Sequence, residues 1–217
     1  MRWASAGSDS GVLEEAIESV SSAILSEMEG DTIDLAVAFV SRVFSDRYDD
    51  FPRLLAERLP HRLLLGCSAA GVIGGGREIE RRPGVSVTAA RLPEVVLRPA
   101  RVGPSELPDL DAPPRAWTGL LDTPREPTPH FLVLADPLRF PTPTLLSGLD
   151  YAYPKSIKVG GLASGGAAPG ANALFIGGEA RREGAVVLSL AGGIDVRAVV
   201  AQGCRPIGAP LRVTRCR

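Results

Sequence analysis

The run Leu63-Leu64-Leu65-Gly66-Cys67-Ser68-Ala69-Ala70-Gly71 constrains the fold more than any other stretch of the chain. Three leucines pass directly into small residues and glycine. That pattern predicts a buried strand over 62–66 delivered into a tight, glycine-permitted turn. It returns some ninety residues later as Ile157-Lys158-Val159-Gly160-Gly161-Leu162-Ala163-Ser164-Gly165. Superposing the two places Gly66 on Gly160, Ala69 on Ala163 and Gly71 on Gly165. Small residues at matched positions leave room for a second backbone, or for a ligand, to come close.

Around these stretches the chain alternates between helical and strand periodicity. Residues 1–6 suit a short strand. Leu13, Ile17, Val20 and Ile24 recur at helical spacing behind the capping oxygens of Ser8, Asp9 and Ser10, which predicts a helix over about 10–28, ended by Gly30. A β-branched strand follows over 33–40, then a helix over 46–59 closed by Pro60. Strands are expected at 78–80, 85–89 and 95–102. Residues 103–129 hold seven of the nineteen prolines, so they read as a surface connection pinned down by Trp117, Leu120 and Leu121. Another strand spans 131–135. Thr142 and Pro143 then suit the N-cap and first residue of a helix reaching Pro154. Strand 157–160 enters the second glycine turn, and further strands are expected at 173–176, 184–190 and 194–201.

The succession strand, helix, strand into glycine turn, strand, strand thus occurs over about 33–91 and about 131–190. A helical crossover between strands implies parallel neighbours, and the hairpin-like pairs that follow imply antiparallel ones. The expected fold is α/β or α+β, with mixed β-sheets flanked by helices and two pseudo-related halves. With 217 residues, 45% of them hydrophobic, the chain is long enough to bury a sizeable core. A net charge of −1 gives no ground for a nucleic-acid partner. No apolar run approaches the roughly 18 residues of a membrane span, so no membrane insertion is expected. Cys67, Cys204 and Cys216 show no paired spacing, and no signal peptide is evident, which together suggest a cytoplasmic protein.

Several chemical readings fail on residue type. Gly66 and Gly71 have the spacing of a phosphate loop, but Val72 and Ile73 stand where Lys and Ser/Thr are required. A Rossmann dinucleotide site is not met either. Two histidines and scattered cysteines form no zinc pattern, so neither metal nor cofactor is expected. Cys67 at a strand end could serve a hydrolase or acyltransferase only with His61 or His130 as its base. Asp136 lies where open α/β sheets place ligand-contacting acids, but before Pro137 a turn role is preferred. Arg77, Arg81, Arg82, Arg91, Arg98 and Arg101 interleave with Glu78, Glu80 and Glu94, and a solvated strand face is the preferred reading. Arg205 sits in Gln202-Gly203-Cys204-Arg205-Pro206-Ile207-Gly208, where a guanidinium could clamp a carboxylate or tie two structural units together.

Four segments in order carry a resemblance: Met1-Arg2-Trp3-Ala4-Ser5-Ala6, Gly66-Cys67-Ser68-Ala69-Ala70-Gly71, Val159-Gly160-Gly161-Leu162-Ala163-Ser164-Gly165 and Gln202 to Gly208. The chain resembles, over nearly its whole length, the N-terminal domain of the FIST family of F-box and intracellular signal transduction proteins. The resemblance implies a non-enzymatic sensory module that binds a small ligand, with amino acids or small carboxylates expected. It implies as partner a C-terminal FIST domain or a signalling output protein. In the family a C-terminal FIST domain normally follows the last motif. Here the chain stops at Arg217, so that domain is expected to be missing and the chain is expected to be a fragment or an incomplete sensor. The expected ligand-binding residues are Gly66, Cys67, Ser68, Ala69, Ala70 and Gly71, then Gly160, Gly161, Leu162, Ala163, Ser164 and Gly165, with Arg205 on an anionic group. The alternatives are an interaction or scaffold module without a ligand, and the Cys67-dependent enzyme.

Overall fold

Strand β2 (Ile33–Ser41) shows how the layers of this protein arise. Ala36, Ala38 and Val40 turn to one face, and Leu35, Val37 and Phe39 to the other. Both faces are apolar, so the strand needs cover on both sides. A computed structural model describes residues 1–199, 208, 214 and 215, and in it that cover is a helical layer on one side and a second sheet on the other.

The first sheet contains β1 (Arg2–Ser8), β2, β3 (His61–Ala69), β6 (Val85–Arg91), β10 (Leu174–Ile176) and β11 (Glu179–Arg181), in the spatial order β1-β6-β2-β3-β10-β11. Strands β2 and β3 are parallel, and the other pairs are antiparallel. The second sheet has the order β7-β12-β8-β9, from β7 (Val95–Val102), β8 (His130–Ala135), β9 (Lys158–Leu162) and β12 (Ala185–Gly192). Here β8 and β9 are the parallel pair. A separate hairpin joins β4 (Gly71–Gly74) to β5 (Arg77–Glu80). This mixed α/β architecture is the one expected from the sequence.

Helices α1 (Leu13–Met28) and α2 (Phe51–Arg58) cover the outer face of the first sheet through Ile17, Val20, Ile24, Phe51 and Leu55. Helices α3 (Pro114–Leu121) and α4 (Thr142–Ala152) cover the second through Trp117, Leu121, Leu145 and Leu149. Leu65, Leu134, Leu174, Val186 and Leu188 fill the space between the sheets. The layers therefore run helix, sheet, sheet, helix.

Several expectations need correction. Gly66 and Gly160 do not begin turns: β3 runs on to Ala69 and β9 to Leu162. Glycine is required there because a Cβ on Gly66 would overlap the Ala38 carbonyl, and one on Gly160 the Val133 carbonyl. In both sheets the neighbouring parallel strand passes too close for a side chain. Residues 103–129 contain α3, built around the fully buried Trp117, which the proline count obscured. The helix expected over 46–59 begins only at Phe51, after a 3-10 segment over Arg42–Arg47. Thr142 makes no side-chain cap bond, and Pro141 holds the capping position of α4. Strand β11 was not anticipated, and residues 194–199 form no strand. Residues 200 and 201 of that expected strand, and the motif positions 202–207 with Cys204 and Arg205, lie outside the described residues, as does Cys216.

Gly148 of α4 lies beneath Trp117, and a Cβ there would penetrate the indole ring. Gly148→Ala should destabilise the protein by about 1–3 kcal/mol or more, the usual result of overpacking a core. Gly119→Ala, in α3 with nothing within 4 Å of an added Cβ, should be neutral or stabilise by up to about 1 kcal/mol. Urea unfolding of the two variants checks the contrast.

Candidate functional site

The ends of β3 and β9 belong to different sheets, yet their continuations meet. The Ser164 N–H donates to the Ser68 carbonyl at 3.0 Å, and the Ala70 N–H donates to Ser164 Oγ at 3.1 Å. One residue earlier, the Ala163 N–H still donates to Ala135 of β8 at 2.9 Å. The segment therefore leaves one sheet and joins the other within two residues. Gly165 then adopts φ +97°, and a Cβ on it would press on the Ala69 carbonyl and Arg42 Cβ at 3.0 Å. Of the residues expected to bind ligand, Ser68, Ala69, Ala70, Gly71, Ala163, Ser164 and Gly165 are gathered at this junction. Gly66 lies deeper in β3 and serves strand packing. Leu162 faces outward and is 53% exposed.

Two spaces flank the junction. Between the sheets lies a cavity of about 440 Å³, walled by Phe39, Cys67, Ala69, Leu132, Leu134 and Val159. Its wall is apolar, with Ser164 and the backbone of Gly160, Gly161 and Gly71 as polar additions. On the other side is a cleft of about 360 Å³ formed by Ser41, Arg42, Ala70, Arg81, Arg82 and Gly165. Arg82 is paired with Asp9 at 3.1 Å. Arg42 and Arg81 make no salt bridge among the described residues. Arg81 belongs to the arginine group that sequence read as a solvated face. Arg42 was missed altogether. Its position immediately after β2, at the carboxyl end of a strand with a parallel neighbour, was the signal that could have found it.

A buried polar chain holds the junction in place. Ser68 Oγ accepts the Ala173 N–H at 3.0 Å, and Asn172 Oδ1 accepts the Gly166 N–H at 2.9 Å. Asn172 Nδ2 reaches Asp136 Oδ1 at 3.4 Å, while Asp136 Oδ2 accepts the Arg139 N–H at 2.8 Å. Ser68, Asn172 and Asp136 are all essentially inaccessible to water. Asp136 thus acts as a turn residue that also anchors the loop from the other sheet. Nothing in the sequence singled out Asn172.

Among the described residues, no base is hydrogen-bonded to the Cys67 thiol. His61 Nδ1 faces the Leu59 carbonyl at 2.6 Å, and burial holds this imidazole below its ordinary range. His130 Nδ1 accepts the Ile157 N–H at 3.1 Å. Both histidines begin their strands, and His61 lies six residues before Cys67, about 20 Å along an extended strand. Burial pushes the Cys67 pKa from 9.0 up to about 12. Because the folded value is the raised one, this group favours the folded state below pH 9, and that contribution is lost as pH rises toward 12. Among the described residues no group of three or more His, Cys, Asp or Glu could hold a metal ion.

In a Cys204→Ser/Cys216→Ser background, iodoacetamide at pH 8 should leave Cys67 unmodified in the native protein and alkylate it once denaturant is added. Rapid native labelling, read by mass spectrometry, would mean the thiol is ionised and accessible.

Comparison with known proteins matches residues 34–217 to the family model described as FIST N domain. Uncharacterized protein Rv0628c of Mycobacterium tuberculosis is 35% identical over 192 residues, covering 87% of this chain and 47% of the relative. Uncharacterized protein Mb0898c of Mycobacterium bovis is 33% identical over the same length and coverage. The chain therefore spans about half the length of the curated relatives it matches. Among the described residues no helix is long and apolar enough to cross a membrane.

Proposed function

The chain belongs to the FIST N domain family, a signal-transduction-associated domain, and on that footing we propose that it is a non-enzymatic cytoplasmic sensory module for a small ligand, an amino acid or a small carboxylate. The observation that carries the reading is the junction itself. Two small-residue segments from different sheets are bonded to each other, with an apolar cavity on one side and a basic cleft on the other. Both spaces are bordered by the same two segments, the cavity by Ala69, Gly71 and Ser164 and the cleft by Ala70 and Gly165. A ligand with an apolar part and a carboxylate matches that pairing. Arg42 and Arg81 take the anionic group, the role sequence reasoning assigned to Arg205. Backbone groups of small residues fix its orientation.

Signalling requires the ligand to favour one of two arrangements, which only differential affinity can do. A ligand touching both β3 and β9 bears on how the two sheets sit together, and that relation is what a C-terminal FIST domain or a signalling output protein would read. Burial of the Cys67 thiol, with its pKa pushed up, supports a binding role for this residue over a nucleophilic one.

Thermal-shift screening against free amino acids and small carboxylates tests the reading. A true ligand at a hundred times its dissociation constant stabilises by about 2.7 kcal/mol. Arg42→Ala or Arg81→Ala should weaken that ligand by about 10–100-fold, as expected for loss of a hydrogen bond to a charged group. Arg101→Ala, whose partner is the exposed Glu179, should leave it unchanged. A screen without any stabilising compound, or a hit indifferent to both cleft arginines, would sink the proposal.

A further inference from the structure

The two sheets share one strand pattern but end differently. Orders β1-β6-β2-β3 and β7-β12-β8-β9 correspond strand for strand, and Ala38↔Gly66 in the first corresponds to Val133↔Gly160 in the second. In the first sheet, β3 is covered along its outer edge by the antiparallel strand β10, with Phe175 directly opposite Gly66. In the second, β9 has no outer neighbour among the described residues. The hairpin β4–β5, which follows β3 as β10–β11 follows β9, pairs with neither sheet.

The hydrogen-bonding groups of β9 suit a further strand. The Ile157 carbonyl accepts from Phe131, and the Ala163 N–H donates to Ala135. Backbone polar groups alternate sides along a strand, so those of Lys158, Gly160 and Leu162 point away from β8. The corresponding groups of β3 are engaged by β10: the Ser68 N–H donates to Ala173 at 2.8 Å, and the Leu64 carbonyl accepts from Gly177 at 2.9 Å.

The side-chain spaces correspond as well. Phe175 fills the position over Gly66 on the α2 side, with ring centroids 5.0 Å from Phe51 and 5.9 Å from Tyr48, and it is fully buried. On the α4 side of Gly160 there is instead a groove of about 430 Å³, bounded by Val133, Thr142, Pro143, Leu146 and Leu162. Both helices begin with proline in the first turn. Counting from it, Leu55 of α2 corresponds to Leu146 of α4. Leu55 is 0% exposed, whereas Leu146 is 37% exposed. Among the described residues, the second sheet thus lacks at this place the aromatic cover that the first sheet has.

We propose that the outer edge of β9 accepts one extended peptide segment as an antiparallel strand, with an aromatic side chain opposite Gly160 and aliphatic residues on either side of it. Main-chain bonds to Lys158, Gly160 and Leu162 provide affinity. The aromatic ring in the α4 groove provides selectivity, and the flanking aliphatic residues turn toward the space between the sheets. A second copy of the chain presenting its own β9 is a poor occupant, because it brings glycine where the groove requires a ring. The proposal is independent of the small-ligand reading, since the groove and the open edge exist whether or not the inter-sheet cavity binds anything.

The probe is a fluorescein-labelled peptide with the sequence of residues 172–177 and a polylysine tail, titrated into the whole chain by fluorescence polarisation. Saturable binding is expected, lost at least tenfold when Phe175 of the peptide is replaced by Ser and when the protein carries Leu146→Glu. Leu162→Glu serves as the second variant, and circular dichroism confirms that each is folded. Hydrogen exchange should slow at Gly160 and Leu162 on binding. Absence of saturable binding, indifference to both protein variants, or protection on β3 instead of β9 would overturn the proposal, as would a dimer in sedimentation whose protected amides are those of β9.

Discussion

The bond from the Ser164 N–H to the Ser68 carbonyl is the contact on which the geometry between the two sheets depends. Packing between apolar sheet faces is non-directional, so Leu65, Leu134 and Val186 could accommodate a range of sheet offsets. A buried peptide group cannot. Where residues 163, 172 and 173 are buried at the crossing between the sheets, their backbone polar groups need partners, because leaving one unpaired costs about 1–3 kcal/mol. Ser68 Oγ of β3 accepts from the Ala173 N–H, the Asn172 side chain accepts from the Gly166 N–H, and Asp136, just after β8, holds the Asn172 amide in place. The sheets are therefore held at one separation, and the inter-sheet cavity is what that separation leaves unfilled.

Much of this was legible in the sequence, and the misses share a cause. Strands with runs of β-branched or leucine residues, such as β2, β8 and β12, announce themselves because both faces are buried. The glycines at 66 and 160 were visible as important but were given the wrong role. Local reasoning assigns glycine to turns, whereas here it answers a close approach by a strand about thirty residues away in sequence. Helix α3 was hidden because its prolines lie before and after a short helix whose one decisive residue is Trp117. Asn172 was invisible for the same reason: it matters through partners in other elements, and no periodicity records that. The meeting of Ala70 with Ser164 is likewise a fact of tertiary structure, although the likeness of the two segments pointed toward it.

The two spaces at the junction differ in what they can contribute. In the cavity, removing apolar ligand surface from water yields about 25 cal/mol per Å², without directionality. In the cleft, Arg42 and Arg81 are exposed, so their attraction for an anion is screened by water and salt. Neither space alone supports both tight and selective binding. Guanidinium geometry discriminates a carboxylate from other polar groups, while the apolar wall discriminates by volume and shape. Small residues along Ala69–Gly71 also answer close packing: a Cβ on Gly71 would press on Glu80 and the Ile79 carbonyl of β5, and Ala69 packs with Val72 and Ile79.

Strand β9 bears on both proposals at once, and its construction makes that consequential. One face, through Val159, lines the inter-sheet cavity, while its outer edge offers the backbone of Lys158, Gly160 and Leu162. It is five residues long, carries two glycines, and among the described residues is held on one side only, by β8. Such a strand gains more order from a new neighbour than an interior strand does, because fewer existing bonds restrain it. A ligand in the cavity and a strand on the edge would each restrict the same backbone. The first to bind would meet part of the ordering cost of the second, which is positive coupling without any large movement. Linkage makes that coupling reciprocal: a peptide that favours the ligand must be favoured by it to the same degree. On the proposed reading, a weakly held edge strand between a cavity and an open groove is the part of the fold best suited to pass a binding event outward.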